Sequence, residues 1–88
     1  MLESKLQASC LKYAKSQGWY VLKIIKCNVS GFPDSVLFKD GTTIFVEYKA
    51  INGIQSDLQK YQQKLLENQG FKYYLVNNLI YFKEIVVY

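Results

Sequence analysis

Apolar and polar positions recur at helical spacing over Leu2–Gln17. Glu3, Leu6, Cys10, Tyr13, Ala14 and Gln17 share one stripe there, while Lys5, Lys12 and Lys15 point away from it. The pattern predicts a helix that ends at Gly18. Trp19–Ile25 is rich in β-branched and aromatic residues and reads as a strand. Asn28–Pro33 reads as a loop, followed by strands over Asp34–Lys39 and Thr42–Ala50 with Asp40-Gly41 between them. Asp-Gly flanked by β-formers signals a two-residue hairpin turn. Helical spacing returns over Asp57–Gln69, with Leu58, Tyr61, Leu65 and Leu66 near the apolar side. Phe71–Val76 reads as a further strand. Asn77-Asn78 then turns the chain into a last strand over Leu79–Phe82, and Lys83–Tyr88 fits either a strand or a short helix. The order αβββαβ, with a possible extra strand or short helix, describes an α/β domain whose helices cover a sheet. No repeat, linker or low-complexity stretch divides residues 1–88, which read as a single domain.

The hairpin has a chemical consequence. With a two-residue turn, Lys39 faces Thr42, and the same register sets Asp34 across from Glu47 on one face of the sheet, their Cβ atoms ~4.5–5.5 Å apart. Lys49, two residues beyond Glu47, shares that face. Two facing carboxylates repel by ~3 kcal/mol at ~5 Å and an effective dielectric of ~20. A divalent cation between them converts that repulsion into coordination. Oxygen donors in a chain without imidazole favour magnesium or manganese over zinc or copper. The structural alternative is an Asp34 that opens a turn and a surface ion pair between Glu47 and Lys49.

Two more polar residues carry double readings. Glu3 lies within the apolar stripe of the first helix, where a carboxylate is costly unless paired or metal-bound. It is equally a helix-start acid favoured by the macrodipole. Gln59 follows Ser56 by three residues, the spacing of a capping box, and Gln62 is a second candidate for inward polar contacts on the same helix.

Composition narrows the chemistry further. Half of the 88 residues are apolar and a fifth charged, which suits a packed globule. No apolar run approaches the ~20 residues of a membrane span, and Met1–Lys5 lacks the layout of a signal peptide, so an intracellular, cytoplasmic domain is expected. The absence of histidine removes Ser–His–Asp triads and the usual zinc sites. The absence of arginine makes all eleven cations lysines, so phosphate would be met by ammonium groups and backbone N–H groups. The glycines fit neither a Walker A loop nor a Rossmann fingerprint, which argues against a nucleotide cofactor. Cys10 and Cys27 are expected as reduced core thiols. A net charge of +4 leans toward a polyanionic partner, with Lys23, Lys26, Lys60 and Lys64 as possible contacts.

Gly31-Phe32-Pro33-Asp34, followed after a hairpin by Glu47-Tyr48-Lys49, resembles the Pro-Asp…Glu-x-Lys signature of the PD-(D/E)XK nuclease superfamily. With Glu3 on the first helix and Gln59 on the second, the chain more narrowly resembles the virus-type replication-repair nuclease (VRR-NUC) domain. That resemblance implies a restriction-endonuclease-like core, a mixed sheet flanked by helices. It further implies that Asp34, Glu47 and the Tyr48 carbonyl hold magnesium or manganese, that Glu3 completes or extends the site, that Lys49 positions the hydrolytic water, and that Gln59 supports the site. By the same resemblance the substrate is DNA, branched as in four-way (Holliday) junctions of DNA repair, and the assembly is a homodimer. The aromatic-rich composition and the tail Ile85–Tyr88 offer surface for such a dimer. The alternative is a non-catalytic nucleic-acid-binding module in which lysines meet phosphates and exposed tyrosines stack on bases. A third reading is a small interaction domain.

Overall fold

The computed structural model describes residues 2–87, so Met1 and the Tyr88 of the expected interface tail lie outside the described residues. Helix α1 spans Glu3–Ser16 and buries Leu6, Cys10, Leu11 and Ala14. The buried stripe therefore takes in Leu11, and the two polar residues assigned to it, Glu3 and Gln17, are exposed at its ends. Leu2 offers no side-chain cap, and Glu3 in the first turn with Lys15 in the last complements the helix dipole.

Strands β1 (Tyr20–Lys23), β2 (Ser35–Lys39) and β3 (Thr42–Tyr48) form an antiparallel meander. The β2–β3 turn is the two residues Asp40 and Gly41, with φ of 49° and 80°. Positive φ at both central positions is the type I′ geometry, whose twist matches the flanking strands. The register runs from Lys39 opposite Thr42 to Ser35 opposite Val46.

Helix α2 (Asp57–Asn68) then crosses to β4 (Lys72–Val76), which lies parallel to β3. The result is a four-stranded mixed sheet in the order β1-β2-β3-β4. Helix α3 (Leu79–Ile85) is the last element among the described residues.

That last element corrects the expected strand over Leu79–Phe82. The Asn78 side chain accepts a hydrogen bond from Tyr81 N at 2.8 Å, which caps a helix start. The four-residue spacing of Phe82 and Val86 then puts both into the core beside α1. The indole N–H of Trp19 donates to the Val86 carbonyl at 3.1 Å and ties this end down.

Alternation along the strands divides the interior in two. Leu37, Ile44, Val46 and Tyr48 face α1 and α3, whereas Val36, Phe45 and Tyr73 pack with Phe32 and with Leu66 of α2. Of the apolar residues expected to anchor α2, only Leu66 does so; Leu58, Tyr61 and Leu65 are exposed. Cys10 is a core thiol as expected, but Cys27 is exposed in the β1–β2 connection.

Candidate active site

Register and a side-chain bond bring Asp34 and Glu47 together. Each lies one residue past the last β2–β3 pair, and one more step of the ladder sets them opposite each other. Asp34 Oδ2 accepts from the Tyr48 amide at 2.9 Å, while the Asp34 carbonyl accepts from Ile24 N at 2.8 Å. The aspartate is thereby held between the end of β1 and the end of β3.

Upstream of it, Gly31 has φ 80°, and a Cβ built there would sit 2.6 Å from the Leu58 backbone carbon. The Gly31–Asp34 segment can therefore lie directly against the first turn of α2, an approach only glycine permits.

Glu47 is completely buried, between the α2-side cluster and the end of the sheet. Its Oε1 accepts from the Tyr73 hydroxyl at 2.7 Å. Gln55 Nε2 is shared between the Tyr73 oxygen, at 3.3 Å, and Gln63 Oε1, at 2.9 Å. Glu47 Oε2 has no hydrogen-bond partner among the described residues, and Lys49 Nζ lies 3.9 Å from it.

Burial pushes the Glu47 carboxyl up, and the charges of Asp34 and Glu3 push it further. The Tyr73 hydrogen bond and Lys49 pull in the opposite direction. Burial likewise raises the Tyr73 phenol, which keeps it a proton donor to the carboxylate.

An unpartnered oxygen on a buried carboxylate is energetically poor unless something else occupies it. The donor set fits a hard divalent cation. Among the described residues no three Asp, Glu, Cys or His side chains converge into a metal-holding group. Magnesium does not need them, because it is commonly held by one or two carboxylates with water and substrate phosphate filling the octahedron. Asp34 and Glu47 supply two carboxylates there, Asp34 Oδ2 accepting from the Tyr48 amide and Glu47 Oε2 accepting no hydrogen bond among the described residues. Glu3 stands exposed in the first turn of α1, near enough for its charge to act on Glu47.

Gln59 is engaged in the capping box of α2. Its backbone N–H donates to Ser56 Oγ at 3.2 Å, and its side-chain Oε1 accepts from Ser56 N at 2.8 Å. Gln63, rather than Gln62, carries the inward polar contact of this helix.

Tyr73, Gln55 and Gln63 are site residues that pattern reading missed. Tyr73 was legible as a strand residue, but its neighbour across the ladder depends on the parallel register after α2, which no local signal encodes.

On the Asp34 side the surface opens into a cleft of about 350 Å3, bounded by residues 24–34 of the β1–β2 connection.

No protein-family model matches this chain, and no curated protein matches it significantly in sequence. A solved structure described as a "VRR_NUC domain" matches it with a TM-score of 0.85, covering 98% of this chain and 95% of that one at 20% identity.

Proposed function

From a chain that has the VRR_NUC fold, we propose a single nuclease domain over residues 1–88 that hydrolyses phosphodiester bonds of DNA with magnesium or manganese. The proposed substrate is branched DNA such as a four-way junction, and DNA repair is the matching process. The observation that carries this reading is the buried Oε2 of Glu47 beside Asp34, which accepts no hydrogen bond among the described residues. A site that only bound DNA would gain nothing from placing two acids where a phosphate must approach.

In this reading Asp34, Glu47 and the Tyr48 carbonyl hold the ion, and Glu3 extends the negative field at the edge of the site. When bound, the ion supplies Lewis acidity to the phosphate and a more acidic water. Lys49, half-buried and 3.9 Å from Glu47 Oε2, orients the attacking water and offsets the charge that builds up on the phosphate. Tyr73 holds the Glu47 carboxylate in one rotamer. Gln59 supports the site through the cap that fixes the first turn of α2 against the Gly31 segment.

We assign the assembly as a homodimer, supported by the exposed Ile54, Leu58 and Tyr61 around the start of α2. The proposal includes a reducing, cytoplasmic setting, in which Cys10 and Cys27 remain free thiols. No helix among the described residues is long and apolar enough to cross a membrane.

The test compares wild type and Glu47→Ala on four-way, flap and linear DNA, with magnesium or with chelator. Wild type is expected to cut the junction only with magnesium, and the variant not at all. Equal cleavage by both proteins would remove Glu47 from the site. Tight binding without any cleavage would make the chain a non-catalytic binding module. Sedimentation velocity of wild type and Leu58→Glu reads the assembly, the variant being expected as monomer.

A further inference from the structure

Glu47 is closed on most sides. The sheet and the α2-side cluster bury it, Tyr73 and Gln55 wall it off toward β4, and Lys49 lies beyond it along β3. Asp34 is only partly buried, and the cleft of about 350 Å3 ends at it. Ile24, Val29, Phe32 and Pro33 are among the residues that line the cleft.

Lys26 and Asp34 are the charged side chains that line it. A polyanion coming toward Asp34 and Glu47 is repelled by both acids. Lys49 is drawn toward Glu47, whereas Lys26 is a cation on the lining of the cleft itself. The walls are preformed, since Ile24 N bonds to the Asp34 carbonyl and Gly31 is wedged against α2.

We propose that DNA reaches the carboxylate pair from the Asp34 side, its phosphodiester backbone lying in the β1–β2 cleft against Lys26. The proposal rests on the nuclease reading and adds to it the surface by which substrate enters. A second cleft, of about 320 Å3 between α1 and α3, carries Lys12 and Lys83. It lies on the side of the sheet away from Glu47, and Lys83 is stacked 4.8 Å from the centre of the Tyr13 ring. It serves as the comparison surface.

The experiment measures fluorescence anisotropy of a labelled four-way junction in chelator, where nothing is cut, over a series of salt concentrations. Lys26→Glu is expected to weaken binding about tenfold at ~0.1 M salt, and Lys26→Ala to lower the log–log salt slope by about one. Lys12→Glu is expected to stay within about twofold of wild type, since it faces no bound phosphate. Lys26 is exposed, and a thermal melt confirms that both variants are folded. Unchanged affinity and slope in the Lys26 variants would overturn the proposal, as would an equal loss in Lys12→Glu. A wild type that binds no junction at all would instead overturn the nuclease reading, and this surface with it.

Discussion

The Tyr73 hydroxyl donates to Oε1 of Glu47 at 2.7 Å, and this bond leaves the other carboxylate oxygen without a hydrogen-bond partner among the described residues. The two residues lie on adjacent parallel strands and on the same face, with Phe45 beside Tyr73 in the ladder and Glu47 two residues further along β3. The tyrosine thus both stabilises a buried charge and decides which oxygen is available.

Tyr73→Phe is expected to destabilise the metal-free protein by about 1–3 kcal/mol, the range for a buried acceptor that loses its donor. Urea denaturation in chelator reads that loss. Manganese affinity, measured by calorimetry, should fall several-fold as Glu47 loses its fixed rotamer. Wild-type manganese affinity in the variant would reduce Tyr73 to packing.

Glu47→Gln should raise metal-free stability at neutral pH. Burial lifts the folded-state pKa of Glu47 above the unfolded value of ~4.3. Between those two values the folded protein holds more protons than the unfolded chain, so this group lowers stability as pH rises and then has no further effect. Scanning fluorimetry in chelator should show a decline for wild type that Glu47→Gln lacks. Each kcal/mol recovered would appear as ~4–8 °C in melting temperature. Added manganese should raise the wild-type melting temperature and leave the variant unmoved. A variant that melts below wild type in chelator would contradict the strained-carboxylate picture.

Gly31→Ala and Gly41→Ala separate backbone strain from crowding. Both glycines have φ 80°, but a Cβ at Gly41 meets nothing within 4 Å, whereas at Gly31 it meets the backbone of Leu58 and Gln59 at 2.6–2.9 Å. Gly41→Ala is expected to cost ~1–2 kcal/mol from the left-handed conformation alone. Gly31→Ala should cost clearly more and weaken cleavage, because Asp34 is carried by the same segment. Equal losses in denaturation would show that the loop can retreat from α2.

Ser56→Ala and Gln59→Ala break the same capping box from its two ends. Each is expected to cost ~0.5–2 kcal/mol by thermal denaturation. Junction cleavage should fall in step with that loss and about equally in the two variants. A much deeper loss of activity in Gln59→Ala would give the glutamine a part in the chemistry beyond the cap.

What the amino-acid sequence determined by itself was most of what near neighbours set. Apolar spacing specified α1, α2 and β1–β4 to within a few residues, and Asp40-Gly41 specified a two-residue turn, which the structure makes type I′. Because that turn is local and its register rigid, the opposition of Asp34 and Glu47 could be read before any coordinates. The spacing of Ser56 and Gln59 likewise allowed a capping box, but the choice between cap and site support for Gln59 stayed open until the structure showed the cap formed.

Tertiary structure decided what depends on distant partners. The stretch after Asn78 has enough β-formers for a strand, but the Asn78 cap and the space for Phe82 and Val86 against α1 make it a helix. Only packing could show that α2 seats Leu66 and leaves Leu58, Tyr61 and Leu65 outside. The pairing of β4 with β3 is made across a helical crossover, where no turn geometry transmits register, and it alone brought Tyr73 to Glu47. Local sterics act over a few bonds and are written in adjacent residues; a buried carboxylate's environment is assembled from segments that meet only when the core closes.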